Sequence, residues 1–366
     1  MHNPAPRLFT PLSLRDVTLP NRIVVSPMCQ YSAVEGCAQD WHLMHLGNLA
    51  VSGNGMLIME MTNVAAEGRI TPHCMGLYDD ACEQALMRVI GFCRAHSRSV
   101  LAVQLAHAGR KASTRPPWVG RAALKPEDGG WQPLAPSAVA ASADDLLPRA
   151  LSVDEIDDLV TAFADAARRA LRIGFDAIEL HAAHGYLLHQ FLSPLSNLRD
   201  DAYGGSLQNR MRFPLAVFDA VRAVWPEERP LGVRLSATDW IEGGWDMPQS
   251  LAFISELEAR GCDWIDVSSG GLSPAQRIVD GPGYQVPLAA EVKRHTHMAV
   301  MTVGRITEPQ QAEDILAAGD ADLIAIARGM LYDPRWAWHA ADALGAEADY
   351  PAQYLRGRPA RRDGDR

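Results

Sequence analysis

Residues 176–186 read DAIELHAAHGY, and the fold prediction starts from this stretch. Its first five residues form a short, mostly apolar run of strand length, and His181, His184 and Tyr186 follow directly behind it. Two imidazoles and a phenol are costly to remove from water unless each finds a partner. Three such groups at the exit of a predicted buried strand therefore indicate a ligand site, with a substrate oxygen as the natural partner.

Seven further runs of similar length and composition occur along the chain, and stretches with helical spacing, such as residues 152–173 and 307–318, lie between them. Gly174, Gly261 and Gly319 each fall two or three residues before the next run, as expected of a glycine that ends a helix. The eight runs cover residues 22–26, 56–60, 100–105, 176–180, 231–236, 263–267, 299–303 and 322–326. Strands and helices therefore alternate.

Eight strand candidates in this order, each apolar enough for burial on both faces, predict a single-domain α/β fold of the (β/α)₈ TIM barrel type. An open doubly wound sheet is the alternative, but it usually carries a glycine-rich turn after its first strand, and residues 26–29 read SPMC. We expect the barrel to cover residues 1–350 and a C-terminal tail to cover residues 351–366. The irregular segment 106–150 would follow the third strand and form part of the rim of the barrel mouth.

The composition excludes several classes of partner. The chain has 366 residues, and its 44 acidic side chains outnumber 34 basic ones, with no basic stripe interleaved with aromatic residues. This argues against a nucleic-acid partner. No stretch resembles a membrane span, and residues 1–7, MHNPAPR, lack the basic and then apolar run of an export signal. A cytoplasmic protein without a membrane partner is therefore expected.

The cysteines predict no metal site. None of the 6 cysteines shows the paired Cys-x-x-Cys spacing that zinc sites and iron–sulfur clusters use. We expect reduced, buried thiols at five of them. Cys29 differs in context, because it follows Ser26, Pro27 and Met28 at the end of an apolar run.

Polar residues and glycines follow several other predicted strands, and in barrels of this type the carboxyl ends of the strands form the active site. Gln104 is the last residue but one of the third run, and Arg234 is a lone charge inside the fifth, where it requires an anionic or strongly accepting partner. Gly304 and Arg328 follow the seventh and eighth runs, whose loops usually bind phosphate. Glycine permits close backbone approach, and arginine binds phosphate in bidentate fashion. These positions outline a long, flat cofactor, and flavin mononucleotide (FMN) matches that outline.

A set of motifs spread over nearly the whole chain resembles the old yellow enzymes. The motifs are PNRI at 20–23, SPMCQYS at 26–32, EGRI at 67–70, QLAHAGRK at 104–111, HAAHGYL at 181–187, DAYGGS at 201–206 and NR at 209–210. More narrowly, the chain resembles the thermophilic-like branch of that family, which includes xenobiotic reductases and carries a cysteine at the position of Cys29.

The resemblance implies a reaction and roles for the residues behind the fourth strand. In this family NAD(P)H reduces FMN, and hydride then passes from flavin N5 to the β-carbon of an alkene conjugated to a carbonyl or nitro group. Tyr186 resembles the proton donor to the α-carbon, and His181 and His184 resemble the pair that holds the substrate oxygen. Tyr31 is similar to a residue that lines the substrate side of the flavin, although an aromatic residue there is often only packing.

The resemblance also implies the flavin-binding set. Arg234 would lie near flavin N1 and the C2 carbonyl, Gln104 would bond the pyrimidine edge, and Cys29 would tune the flavin potential through a weak thiol hydrogen bond. From its residue type alone, Cys29 is equally a small buried hydrophobe. The complete set is Ser26, Pro27, Met28, Cys29, Met61, Gln104, Arg234, Gly271, Gly304, Ala327 and Arg328.

Two members of that set are open to another interpretation. Gly271, assigned to the phosphate end, belongs to residues 268–271, SSGG, which also read as a plain turn. Met61 departs from the branch, which usually carries alanine beside the flavin, and its bulk would narrow the site or shift the cofactor.

The predicted function is an NAD(P)H-consuming ene-reductase for enones, enals, maleimides or nitroalkenes, assembled as a homodimer or homotetramer. Two alternatives remain: a flavin-holding protein with little turnover because Met61 blocks access, and an enzyme like the dienoyl-CoA reductases. The latter carry an iron–sulfur cysteine cluster and further domains, for which this chain has neither the spacing nor the length.

The sequence also supports predictions for residues 353–356 and for two histidines near the N-terminus. Residues 353–356 resemble a segment that in relatives reaches a neighbouring subunit's site, with Arg356 and Arg358 both candidates and a solvated basic tail as the alternative. His42 and His45, at helical spacing, are predicted to be surface or interhelix residues.

Overall fold

The structure, a computed structural model that describes residues 5–358, contains a closed barrel of eight parallel strands. The predicted (β/α)₈ barrel is therefore confirmed. Two predictions fall partly outside the described residues. The N-terminal segment 1–7, which lacks the pattern of an export signal, is described only from residue 5, and the predicted tail 351–366 only up to residue 358. The strands are β1 Ile23–Val25, β2 Met56–Asn63, β3 Val100–Ala106, β4 Ala177–Ala182, β5 Leu231–Ser236, β6 Trp264–Ser268, β7 Ala299–Thr302 and β8 Leu323–Ile326.

Each strand pairs with its neighbours in chain order, and β1 closes the barrel against β8 through Ile23 opposite Ile324. All eight carboxyl ends therefore lie at one rim. The strands start and end within about two residues of the predicted runs, except that β2 continues to Asn63 and shifts register after Met59. Strand β4 continues to Ala182, so His181 lies inside the strand and not behind it.

Ten α-helices occur among the described residues. Helix α3 shows how the sequence sets the ends of a helix. Ser152 and Glu155 form a capping box at its start, and Gly174 ends it with φ 96°. The helices are α1 Asp40–Ala50, α2 Asp80–His96, α3 Val153–Ile173, α4 Leu187–Leu192, α5 Leu207–Val224, α6 Met247–Ala259, α7 Val286–Lys293, α8 Pro309–Ala318, α9 Arg328–Tyr332 and α10 Trp336–Leu344. Within residues 5–358, none of them is long and apolar enough to cross a membrane.

The part of the barrel interior nearest the amino ends of the strands is a separate apolar core, closed there by a hairpin that the sequence analysis did not predict. The hairpin strands are Leu12–Leu14 and Val17–Leu19, and Leu14 and Leu19 pack into the barrel interior. Arg15, at the turn, lies 2.6 Å from the carboxylate of Asp263, which fastens the hairpin to the start of β6. Ligands therefore enter from the opposite, carboxyl end.

Segment 106–150 contains only short elements, with 3₁₀ turns at Gly109–Lys111, Pro117–Val119 and Pro126–Asp128. Two-residue strands, Leu134–Ala135 and Arg149–Ala150, pair with each other and bring its end back to the barrel. The segment forms one side of a cavity at the mouth.

One glycine inside the barrel lets a large side chain cross a strand. Gly232 on β5 is in register with Trp264 on β6 and with Glu179 on β4. A Cβ atom at Gly232 would lie 2.0 Å from the indole of Trp264. Because that space is free, the indole lies across β5 and its Nε1 donates a hydrogen bond to Glu179 Oε2 at 3.2 Å.

We predict that Gly232→Ala lowers the free energy of unfolding by about 1–3 kcal/mol, because the added methyl group must displace a buried indole. Gly91→Ala is the matched control, since Gly91 lies inside α2 with no atom within 4 Å of a new Cβ. The control should raise stability by up to about 1 kcal/mol. Urea unfolding of both variants measures the difference, and equal stability would contradict the crossing of Trp264 over β5.

Candidate active site

Three rings converge at the exit of β4. The ring centroids of His181 and His184 are 5.1 Å apart, those of His181 and Tyr186 are 5.0 Å apart, and both pairs meet edge to face. His181 and Tyr186 are largely buried. The residues singled out first in the sequence therefore form one cluster, with His181 at its centre.

The turn that carries this cluster has an unusual backbone. His184 has φ 58° and Gly185 has φ 72°, and a Cβ atom at Gly185 would lie 2.4 Å from the carbonyl oxygen of Gly271. Residues with a side chain rarely adopt the left-handed backbone region, so His184 is held in it by its surroundings. Its backbone N–H donates to Ser236 Oγ at 2.9 Å, and its Nε2 lies 2.7 Å from Ser268 Oγ. The imidazole is thereby fixed from the exits of β5 and β6.

Lys111 ties the same turn to the long segment 106–150. Its ammonium group donates to the carbonyl oxygens of His184 at 2.8 Å and Gly271 at 2.9 Å, and it lies 5.2 Å from the ring centre of Tyr186. Burial lowers the pKa of Lys111 to about 8. The side chain acts mainly as a bridge between two loops.

Behind the turn lie residues that the sequence analysis missed. His189 Nδ1 accepts a hydrogen bond from the Gly185 N–H at 2.9 Å, and its Nε2 lies 2.9 Å from Asp239 Oδ1. Gln190 Nε2 donates to the carbonyl oxygens of Gly185 at 2.7 Å and Ala108 at 3.0 Å. The three side chains are fully buried. His189 follows Gly185 by one helical turn, and that spacing was the available signal.

Burial sets the protonation of the ring cluster. It lowers the pKa of both His181 and His184 well below the usual histidine range, and the charge of Arg234 acts in the same direction. Burial also raises the pKa of Tyr186 well above that of a free phenol. At neutral pH the site therefore holds two neutral imidazoles and a protonated phenol. Since His181 Nδ1 accepts from the Ala183 N–H, its Nε2 carries the hydrogen.

A cavity of about 700 Å³ extends from this cluster towards the exits of β7 and β8. His184 and Arg234 line its inner end, and Gly304, Ala327 and Arg328 line its outer end. Gly304 has φ 125°, and a Cβ there would lie 2.9 Å from Gln285 Nε2. The outer end combines a bare backbone, a helix start and a guanidinium group, which together suit a phosphate.

A smaller cavity of about 320 Å³ lies on the other side of the cluster. Tyr186, Lys111 and Arg121 line it together with Gly271. Gly271 is thus next to Tyr186 and is not among the residues that line the larger cavity, where the sequence analysis placed it. Burial raises the pKa of Tyr31 to about 12, although the charge of the nearby Arg121 acts in the opposite direction.

The exit of β1 carries Ser26, Pro27, Met28 and Cys29. The hydroxyl of Ser26 is buried without a hydrogen-bond partner among the described residues, as is that of Thr302 at the end of β7. The pKa of Cys29 is raised well above that of a free thiol, chiefly by burial and then by the nearby Cys74. Cys29 therefore stays protonated. Pro27 and Met28 lie between these two residues, and none of the four lines either cavity.

Met61 does not occupy either cavity. It is 2% exposed and packs in an apolar cluster with Ala106 and Tyr186, against which Cys29 and Tyr31 also lie. The bulk that the sequence analysis noted is accommodated by this cluster.

A buried carboxyl group lies behind the β1 exit. Glu60 Oε2 accepts a hydrogen bond from the Gln30 N–H at 3.0 Å, and Glu60 Oε1 is 3.5 Å from His42 Nε2. Burial raises the pKa of Glu60 to about 8 and lowers that of His42 to about 4. The prediction of a surface or interhelix position for His42 is wrong, because the side chain is fully buried between α1 and the barrel.

The candidate intersubunit segment lies in a 3₁₀ turn, Ala352–Gly357. Tyr354 packs edge to face on Trp338, and Arg358 is 3.7 Å from Glu347. Arg356 is exposed, and neither arginine lines either of the two cavities described above.

Comparison with known proteins gave consistent matches. The sequence profile of the NADH:flavin oxidoreductase / NADH oxidase family matches residues 7–347. An NADPH dehydrogenase of Geobacillus thermodenitrificans is 41% identical over 352 residues, which are 96% of this chain and 98% of that protein. An NADH:flavin oxidoreductase of Gibberella zeae is 43% identical, with 93% of this chain and 86% of that protein covered.

Among solved structures, a morphinone reductase in complex with tetrahydroNAD superimposes with a TM-score of 0.77 at 28% identity, with both chains covered completely. A 2-naphthoyl-CoA reductase shares the fold with a TM-score of 0.84, but at 24% identity, and the match covers 93% of this chain and 52% of that one.

We predict that Glu60→Gln changes how stability depends on pH. The folded-state pKa of Glu60, about 8, exceeds the ordinary value of 4.5, so its contribution is fully present below pH 4.5 and is lost as pH rises through 8. Relative to wild type, the variant should gain up to about 1.4 kcal/mol per pH unit across that window.

Urea unfolding between pH 4.5 and 8 measures this gain. Glu127→Gln is the control, because its side chain is 68% exposed and should leave the profile unchanged. A Glu60→Gln profile parallel to that of wild type would show that Glu60 is already ionised in the folded protein at pH 4.5.

Proposed function

Because the chain belongs to the NADH:flavin oxidoreductase / NADH oxidase family, we propose that it is an FMN-dependent ene-reductase for small electron-poor alkenes. Membership makes it an NAD(P)H-dependent flavin oxidoreductase, and the sequence-based assignment to the old yellow enzymes is confirmed. The observation that carries the proposal is the ring cluster: neutral His181 and His184 beside protonated Tyr186 at the barrel mouth.

The residues present fit FMN. The unpartnered hydroxyl of Ser26 and the bare backbone at Gly304 are features that a bound polar cofactor would use. Gly304, Ala327 and Arg328 would hold the phosphate, and Gln104 and Arg234 the pyrimidine edge. The backbone of Pro27 and Met28 would contact the ring system. When bound, FMN would supply hydride, received from NAD(P)H, to the β-carbon of the alkene.

The chain's own groups would supply the rest of the chemistry. His181 Nε2–H would donate a hydrogen bond to the substrate's carbonyl or nitro oxygen, with His184 beside it, so that the negative charge developing there is stabilised. Tyr186 would deliver its phenolic proton to the α-carbon. The protonated state of Cys29 supports a role as a weak hydrogen-bond donor to the flavin and argues against a nucleophile.

The position of Met61 favours turnover over a protein that merely holds flavin. Met61 packs inside the apolar cluster beneath Tyr186 and lines neither cavity, so the substrate side is not blocked by its side chain. Contact of residues 353–356 with a neighbouring subunit, and assembly as a homodimer or homotetramer, stay predictions.

The proposal is tested by anaerobic mixing of the purified protein with NADPH or NADH, followed by an enone, a maleimide or a nitroalkene. We expect bleaching of a bound yellow chromophore by the nicotinamide and its return on addition of the alkene, with the saturated product formed. Release of the chromophore by denaturation identifies it as FMN. A protein that binds no flavin, or whose reduced flavin is reoxidised only by oxygen, would contradict the proposal.

We predict that Tyr186→Phe slows alkene reduction by roughly 10²–10⁴-fold, because the α-carbon loses its proton donor. Flavin reduction by NADPH should change little, since it requires no phenolic proton. Stopped-flow absorbance resolves the two half-reactions. Tyr78→Phe is the control, because the Tyr78 hydroxyl donates to the Glu35 carbonyl oxygen, at a site that lines neither cavity. Unchanged alkene reduction in Tyr186→Phe would remove Tyr186 from this role.

We also predict that His181→Asn combined with His184→Asn weakens the binding of substituted phenols at least about tenfold, because hydrogen bonds to a partly charged oxygen are lost. Asparagine tolerates the left-handed backbone at position 184. Titration of the charge-transfer band between phenol and flavin measures binding. His295→Asn, at the exposed end of α7, is the control, and an unaltered band in the double variant would exclude the pair as oxygen ligands.

A further inference from the structure

A polar cluster lies buried below the barrel mouth, on four neighbouring strands. It contains Gln104 on β3, Glu179 on β4, Arg234 on β5 and Asp266 on β6, and each of the four is at most 6% exposed. Two carboxyl groups thus share one cation, and both carboxyl groups are fully buried. Burying a second, unneutralised carboxylate there would be costly, which favours retention of a proton on one of the two.

The contacts favour Glu179 over Asp266 as the carboxyl group that takes the proton. Asp266 Oδ2 is 3.2 Å from Arg234 Nε, so this carboxyl group faces the one cation of the cluster, although burial raises its pKa as well. Glu179 has two neutral neighbours: Oε1 accepts from Gln104 Nε2 at 2.9 Å, and Oε2 accepts from Trp264 Nε1 at 3.2 Å. The pKa of Glu179 is raised to about 8, first by burial and then by the charge of Asp266, although Arg234 acts in the opposite direction.

The hydrogen bond between Glu179 and Gln104 links that proton to the Gln104 amide, which the proposed function places at the pyrimidine edge of the flavin. An ionised Glu179 accepts from the Gln104 amide N–H, so that the amide oxygen is free to face that edge. A protonated Glu179 can donate to that oxygen once the amide has turned over, and the NH₂ group then faces the mouth. The proton on Glu179 therefore decides whether Gln104 presents mainly an acceptor or a donor.

We propose that Glu179 is a positioning residue that acts through Gln104: where Glu179 is ionised, it takes up a proton when electrons enter a cofactor at the mouth, and it turns the Gln104 amide to present its N–H groups. The inference rests on the proposed function, which places the flavin pyrimidine edge against Gln104 and Arg234. Added electron density at that edge favours donors over acceptors. The proton comes from water; one O–H bond forms on the Glu179 carboxylate, and the electrons come from NAD(P)H.

The test is the midpoint potential of the flavin-loaded protein between pH 6.5 and 9.5, expressed as protons taken up per two electrons. Below pH 8 Glu179 already holds its proton, so no additional uptake is expected. Above pH 8 the wild type should take up one additional proton, seen as a steeper slope. Glu179→Gln, which carries no titratable group there, should keep a constant slope throughout.

Glu60→Gln is the matched control, because Glu60 is also buried with a raised pKa but makes no contact with Gln104. It should retain the steeper slope above pH 8. A steeper slope that persists in Glu179→Gln, or that disappears only in Glu60→Gln, overturns the proposal. A wild-type slope that stays constant across the range also overturns it.

Two measurements keep the inference separate from the proposed activity. The midpoint potential requires bound flavin but no alkene, so a failure to reduce alkenes would leave this test intact. If the Glu179→Gln variant fails to fold, the infrared difference spectrum between the reduced and the oxidised wild type takes the place of the measurement on that variant. Reduction above pH 8 should create a carboxylic-acid carbonyl band, and its absence would overturn the proposal.

Discussion

Removal of ionisable side chains from water is the constraint on which the rest of the site depends. Burial raises the pKa of Tyr186 and lowers the pKa of His181, and both shifts favour the uncharged form. The same cause keeps Cys29 a thiol and raises the pKa of Glu60 to about 8. The three rings at the exit of β4 are therefore hydrogen-bonding groups that carry no charge of their own. Charge that develops on a ligand there meets oriented dipoles and little competing solvent.

The orientation of those dipoles comes from the backbone and from residues one step removed from the mouth. Gly185 approaches the Gly271 carbonyl too closely for any side chain, and His189 and Gln190 bond the same residue from behind. Lys111 joins the two loops at their carbonyl oxygens. The Gly271 loop, helix α4 and segment 106–150 thus converge on one turn, which explains how a non-glycine residue, His184, is kept in a left-handed conformation.

Much of the fold and of the candidate site could be predicted from the sequence. The features that could not be predicted share one cause. Apolar runs report burial, so the eight strands and the residues at their ends could be predicted, including the placement of His181 beside His184. Glu179 carries the same signal that marked Arg234, a charge inside an apolar strand, but its partners Gln104 and Trp264 depend on strand register, which periodicity does not encode. The hairpin that closes the amino end of the barrel, and the burial of His42 against Glu60, likewise arise from contacts between separate elements. Motifs place residues along the chain; packing decides which of them share a proton.

The way the barrel closes has a consequence for how the protein is made. Strand β1 pairs with β8, and the backbone N–H groups of Arg7 and Leu8 both donate, at 2.8 Å, to the carboxylate of Glu313, some three hundred residues away. During synthesis the N-terminal strand leaves the ribosome long before its partner exists, so one of its edges stays open while the intervening chain is translated. Ring closure is therefore a step of high contact order that must wait for β8, and the nascent half-barrel exposes an open strand edge until then.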